Sequence, residues 1–195
     1  MHPHRVSQAA KHYLLHPEIA ATVRALLGEA PIAAQSMYYW KPPTARGDSL
    51  HQDNFFLRVY PGTCIASWLA MDEVDEENGC LVVAPGSHRL DIFCPEEADP
   101  TLFWSKHFVP IPKGLEEVPV RMSPGDVLFF GGNLIHGSYP NRSTNRFRRC
   151  FIGHYAGSSA HELSKGYSPL LDMQGRIVTR EPATDGGPCG VSAAQ

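Results

Sequence analysis

Three residues have the types, and two of them the spacing, to hold a metal ion. His51-Gln52-Asp53 sets an imidazole and a carboxylate two positions apart, which on a strand would put both side chains on one face. They stand at the mouth of the apolar run NFFLRVY, where a carboxylate without a partner is costly. A third ligand is available in His136, which follows the apolar run of GDVLFFGGNLIH and precedes a Gly-Ser turn. Two imidazoles and one carboxylate on one face of an ion leave positions open for a bidentate cosubstrate and O₂, as in non-haem Fe(II) sites. The similar triplet His16-Pro17-Glu18 reads instead as a helix start. No Cys or Cys/His spacing suggests structural zinc.

If the cosubstrate is 2-oxoglutarate, its distal carboxylate needs a cation, and arginine suits it because the planar fork meets both oxygens. NRSTNRFRRC supplies Arg142, Arg146, Arg148 and Arg149 beyond His136. With RRCFIGHY as a strand, Arg148, Cys150, Ile152 and His154 share one face, and Arg149, Phe151 and Gly153 the other. Spacing alone does not choose among the arginines.

The elements that must position these groups are mostly strands. One helix is signalled by HPEIAATVRALLGEA, with Pro17 at a first helical position, Gly28 past the end, and Ile19, Val23, Leu26 and Leu27 as an apolar stripe. After it come AQSMYYWK, NFFLRVY, IASWLAMDEV, CLVVAPGSH, VPVRM, DVLFFGG and RRCFIGHY, separated by Pro-Gly, Asn-Gly and Ser-Pro-Gly turns. No helices alternate with them, which predicts a closed or two-sheet antiparallel structure. Residues 89–117 are long, proline-punctuated and aromatic, the composition of a lid or binding loop. The reading is one domain over 1–180 and a disordered tail over 181–195.

The bulk numbers exclude several classes. The 195 residues, with net charge −3 and no basic block, point away from nucleic acid and anionic membranes. No apolar stretch is long enough to span a bilayer. Five cysteines without regular spacing (Cys64, Cys80, Cys94, Cys150, Cys189) read as reduced core fillers, which makes a cytoplasmic setting the expectation.

Taken together, QSMYYWKPP, HQD, Trp68, ENGCLVVAPGSH, PGDVLFFGGNLIHGSYPNRS and FRRCFIGHY resemble the phytanoyl-CoA dioxygenase family. The resemblance implies an all-β-dominated double-stranded β-helix (a cupin-like jelly roll) with a few flanking helices, and an Fe(II)- and 2-oxoglutarate-dependent hydroxylase of a small-molecule substrate. It implies His51, Asp53 and His136 as iron ligands and Arg148, with Arg146 as the fallback, on the 2-oxoglutarate carboxylate. Ser138 would help to hold that carboxylate, and Trp68 and Met37 would line its pocket. Family members usually carry a further cosubstrate contact in a longer N-terminal segment, so either the sequence is short of that segment or Arg5 or Lys41 replaces the contact. His154 is read as a packed strand residue rather than a ligand. Two rivals stand beside this reading: a cupin-like isomerase, lyase or hydrolase without 2-oxoglutarate, and a non-catalytic 2-oxoglutarate- or metal-binding module. Oligomeric state is left open.

Overall fold

Residues 1–183 and Cys189 are described by the computed structural model. Two helices precede the first strand. α1 (Gln8–Leu14) is capped by the Ser7 hydroxyl, which accepts from the Ala10 amide. α2 (Pro17–Leu27) spans the expected residues and buries Ile19 and Val23, whereas Leu26 of the anticipated stripe lies 55% exposed. Then follow β1 (Pro31–Lys41), β2 (Asp48–His51), the short helix α3 (Asp53–Leu57), β3 (Ile65–Ala70), β4 (Leu81–Val83), β5 (Glu96–Glu97), β6 (His107–Phe108), β7 (Val118–Val120) and β8 (Val127–Gly131). The chain continues through β9 (His136–Ser138), β10 (Arg148–Gly157), β11 (Glu162–Leu163), β12 (Leu170–Asp172), β13 (Ile177–Val178) and β14 (Glu181–Pro182).

Ten of these strands form two facing antiparallel sheets, one of six strands in the order β13-β12-β1-β10-β3-β8 and one of four in the order β2-β9-β4-β7, while β5 pairs with β6 and β11 with β14. That is the jelly roll, and period-2 alternation gives each sheet its inner face. Met37, Tyr39 and Lys41 of β1 are more enclosed than Tyr38 and Trp40, which are exposed. Trp68, Cys150, Ile152 and Phe130 of the large sheet pack with Leu81 and Val83 of the small one.

Three expectations are corrected. NFFLRVY is not a strand: Asp53–Leu57 is helical, so His51 ends β2 while Asp53 opens α3. The helix forms because Gln52 is extended and the Asn54 amide finds the Gly132 carbonyl at 2.9 Å, and it stops where Arg58 turns left-handed. The cysteines are not all reduced: Cys94 in the lid is disulfide-bonded to Cys189, and only Cys64, Cys80 and Cys150 are buried free thiols. The tail is not disordered from its first residue, since Glu181–Pro182 pairs in parallel with β11. Beyond Ala183 the tail, Cys189 apart, lies outside the described residues.

The lid of residues 89–117 is docked rather than loose. It carries the β5–β6 ribbon, donates the Val109 amide to the Leu50 carbonyl at 2.7 Å, and meets the Ser49 hydroxyl through Ser105 at 2.6 Å. Leu50 and Ser49 both belong to β2.

Between His136 and Ser138 the chain needs glycine. A Cβ on Gly137 would stand 2.7 Å from the Asp48 carbonyl and 3.1 Å from the Leu50 amide, so a side chain there would wedge β2 from β9. Gly137→Ala is expected to cost about 1–3 kcal/mol of stability, as other overpacked core sites do. Thermal unfolding of the metal-free protein should show a melting temperature several degrees lower.

Candidate metal centre and the cationic pocket in the same interior

His51 and His136 face each other across one strand pair, since they are register partners in the β2–β9 ladder. Each ring is oriented by its own backbone. Nδ1 of His51 donates to the Ser49 carbonyl at 2.7 Å, and Nδ1 of His136 to the Leu134 carbonyl at 3.0 Å. Nδ1 held against a carbonyl turns each Nε2 atom toward Asp53. Asp53 Oδ1 lies 3.7 Å from His51 Nε2, and Oδ2 lies 3.8 Å from His136 Nε2. Both separations are too long for hydrogen bonds, and the one between Oδ1 and His51 Nε2 suits two atoms that share a cation. The three ligand atoms all lie within 4.8 Å of one another. The donor set, two imidazole nitrogens and one carboxylate oxygen, fits a divalent iron-like ion with open positions.

The electrostatics fit the same use. Burial opposes ionisation of Asp53, yet the neighbouring His154 and His136 hold its carboxyl well below the usual range. Burial also opposes protonation of His51, but Asp48 and Asp53 outweigh it and lift its pKa to about 9. At His136 burial wins over the attraction of Asp53 and brings the pKa down to about 4. Gln52, the middle residue of the triplet, is fully enclosed and structural. Its amide donates to the Asn133 carbonyl at 2.8 Å and accepts from the Phe93 amide at 2.8 Å, joining the loop before β9 to the start of the lid.

A second feature opens onto the same interior. Arg148 and Lys41 are register partners at the end of the β1–β10 ladder, and both are buried, at 5% and 6% exposure. Arg148 donates through Nε to the Gly79 carbonyl at 3.2 Å, and through Nη1 to the Cys150 sulfur at 3.1 Å. It stands 5.4 Å over the Trp68 ring. Lys41 donates to the Ser138 hydroxyl at 2.8 Å and the Tyr139 carbonyl at 2.6 Å. Among the described residues neither cation has a carboxylate within salt-bridge distance, so their hydrogen-bond partners are all neutral, with Asp48 acting on Lys41 from farther off. Burial first, and then the Arg148 charge, lower the Lys41 pKa to about 7. Gly79 makes room for the pair, because a Cβ there would lie 2.9 Å from the Lys41 side chain.

The other predicted groups divide cleanly. Ser138, Trp68 and Met37 turn toward this interior, Trp68 fully buried and Met37 packed in the same cluster. Arg146, the alternative clamp, is taken by Asp75 at 2.8 Å and Glu77 at 3.0 Å, and Arg149 by Asp72 at 2.6 Å. Arg5 is occupied elsewhere, by the Ser168 carbonyl at 2.8 Å, which leaves Lys41 as the one of the two expected substitutes near Arg148. His154 is packed, as expected, but it also reaches Asp53, and the strand alternation that lists it with Arg148 carried that signal. Beneath the lid lies a mostly apolar cavity of about 360 Å³ whose lining includes Leu50, Val82, Phe103, Phe108, Ile111 and Ser138. None of the three candidate metal ligands lines it.

A jelly roll with two His and one Asp gathered across a strand pair defines the cupin-like class of metal proteins. A family model described as phytanoyl-CoA dioxygenase (PhyH) matches residues 1–150. Phytanoyl-CoA dioxygenase 1 of Oryza sativa subsp. japonica is 32% identical over 141 residues, covering 72% of this chain and 50% of that protein. The peroxisomal phytanoyl-CoA dioxygenase of Rattus norvegicus is 33% identical over 169 residues, covering 80% and 48%. The crystal structure of SnoN, described as a non-heme alpha ketoglutarate dependent epimerase from nogalamycin biosynthesis, superposes with a TM-score of 0.63 at 24% identity, over 79% of this chain and 58% of that one. The chain belongs to the phytanoyl-CoA dioxygenase family. It spans about half the length of the curated relatives it matches.

Proposed function

We propose that this chain is an Fe(II)- and 2-oxoglutarate-dependent oxygenase that hydroxylates a small molecule. The observation that carries the reading is the pairing of two unsatisfied features in one interior: a two-His, one-Asp cluster with its lone pairs converging, and two buried cations lacking a carboxylate. Iron at the first would supply O₂ activation, with 2-oxoglutarate converted to succinate and CO₂ as one oxygen atom enters the substrate. His51, Asp53 and His136 would hold the iron. Arg148, Lys41 and the Ser138 hydroxyl would fix the distal carboxylate, and Trp68 and Met37 would exclude water from its methylene chain. Family membership and the donor set favour this over a metalloenzyme that ignores 2-oxoglutarate, for which buried Arg148 and Lys41 would have no anion. The epimerase among the structural neighbours shows that hydroxylation is a finer statement than cosubstrate use. The test is anaerobic addition of Fe(II) and then 2-oxoglutarate, watched for the visible charge-transfer band of a chelated keto acid. It is followed by succinate release and ¹⁸O₂ incorporation with candidate substrates. Iron binding without the band would sink the reading; succinate without labelled product would keep the cosubstrate and remove the hydroxylase.

Lys41 gives this reading a pH signature. An anion beside the ammonium favours its charged form, so binding 2-oxoglutarate takes up a proton wherever Lys41 would otherwise be neutral. Because the free-site pKa is about 7, affinity should be greatest below that value and fall as pH rises above it. Calorimetric titration on both sides of neutrality should show this slope, and Lys41→Met should weaken binding at the acid end and flatten the profile.

A further inference from the structure

Asp53 is held from behind. Of the three imidazoles near its carboxylate, only His154 is at hydrogen-bond distance, with Nε2 3.0 Å from Oδ2. His51 Nε2 stands 3.7 Å from Oδ1, the spacing of atoms that share a cation, and His136 Nε2 stands 3.8 Å from Oδ2, too far for a hydrogen bond. His154 comes from the middle of β10, where it is flanked by Gln35 of β1 and Ala66 of β3, and it is 2% exposed. Asp53, by contrast, opens a five-residue helix just after an irregularity in the β2–β9 pairing. The ligand with the weakest local support is thus tied to the central strand of the large sheet.

The other ring nitrogen shows that this tie is not incidental packing. Nδ1 of His154 is buried without a hydrogen-bond partner among the described residues, and an unpaired buried nitrogen costs stability that an apolar side chain of similar size would avoid. An imidazole here makes physical sense through its one contact, the N–H given to Asp53.

We propose that His154 is a positioning residue that makes Asp53 a single-oxygen ligand. With Oδ2 occupied by the His154 N–H, Oδ1 is the oxygen left for the metal. A carboxylate free to rotate could bind through both oxygens and close a position that the keto acid or O₂ needs. The inference rests on His51, Asp53 and His136 being the metal site, and the experiment separates the two.

The probe is Co(II), titrated anaerobically into the metal-free protein and read by calorimetry and by its visible d–d bands, alongside Asp53→Ala. His154→Leu should weaken Co(II) binding by about 10–100-fold, as losing a hydrogen bond behind a ligand does in other sites, and should shift the d–d bands. His154→Gln, whose amide can replace the Nε2 donor, should stay close to the wild type, whereas His154→Asn, too short to reach Oδ2, should resemble the leucine variant. If the leucine variant does not fold, the Gln and Asn pair decides the matter. Wild-type affinity and bands in the Leu or Asn variant, with Asp53→Ala unable to bind, would overturn the positioning role and leave the site intact. Wild-type protein that binds no Co(II), or whose binding survives Asp53→Ala, would overturn the site itself and this role with it.

Discussion

Asp53→Ala is expected to abolish saturable Fe(II) binding and succinate formation together. Three protein ligands are the minimum that holds iron on one face, and Asp53 is the only anion among them, so its loss removes both an attachment and the charge that keeps the metal in a buried site. The same change strips His154 of its one partner. A second buried nitrogen without a hydrogen bond should cost roughly 1–3 kcal/mol, so the variant should melt lower than the metal-free wild type as well. Metal titration by fluorescence quenching, with thermal unfolding of both apoproteins, checks the two halves. Undiminished iron binding would remove the triad as the site.

Arg148→Ala should raise the 2-oxoglutarate concentration needed for half-saturation by about 10²–10⁴-fold while leaving iron binding in place. Two charge-assisted hydrogen bonds to a carboxylate are worth roughly 1.5–3 kcal/mol each, and the ε-ammonium of Lys41 cannot reproduce the planar fork. The comparison with Arg146→Ala is decisive, because that arginine is already committed to Asp75 and Glu77 and its loss should leave cosubstrate affinity nearly unchanged. Removing Arg148 also removes a charge that depresses Lys41. The pH above which cosubstrate affinity declines should therefore move upward in the variant. Equal effects at the two positions would mean that the carboxylate lies elsewhere.

The long strands were legible because their side chains alternate against a core: AQSMYYWK, IASWLA and RRCFIGHY all become the inner strands β1, β3 and β10. The small sheet was harder to read. β2 and β9 are Asp-Ser-Leu-His and His-Gly-Ser, short polar pieces with no apolar rhythm, and they are strands because each completes the other's backbone ladder. α3 reads as a strand because Phe55, Phe56 and Leu57 look like strand residues; its helix depends on a Gly132 carbonyl far along the chain. His-x-Asp alone is a weak signal, and the metal triad could be named without the fold only because the linked motifs around it resemble a family. The choice of Arg148 over its neighbours depends on register with Lys41 and on where three acidic residues happen to stand, and neither is local. The Cys94–Cys189 bond joins positions 95 residues apart, which no spacing rule identifies.

β2 has a part in two structures at once. Its ladder with β9 keeps only the Asp48–Ser138 and His51–His136 pairings, with a shift of register between them, and its other edge carries the lid through Leu50 and Ser49. So short and interrupted a pairing belongs to the low-stability end of a protein's local opening reactions. When it opens, the strand leaves with the His51 ligand and the lid's anchor together. A metal bridging His51 to His136 would close that opening, so amide exchange in β2 and at the lid residues bonded to it would slow together when the ion binds. Loss of the ion would then loosen the lid at its β2 contacts, while Gln52 keeps hold of its start through Phe93.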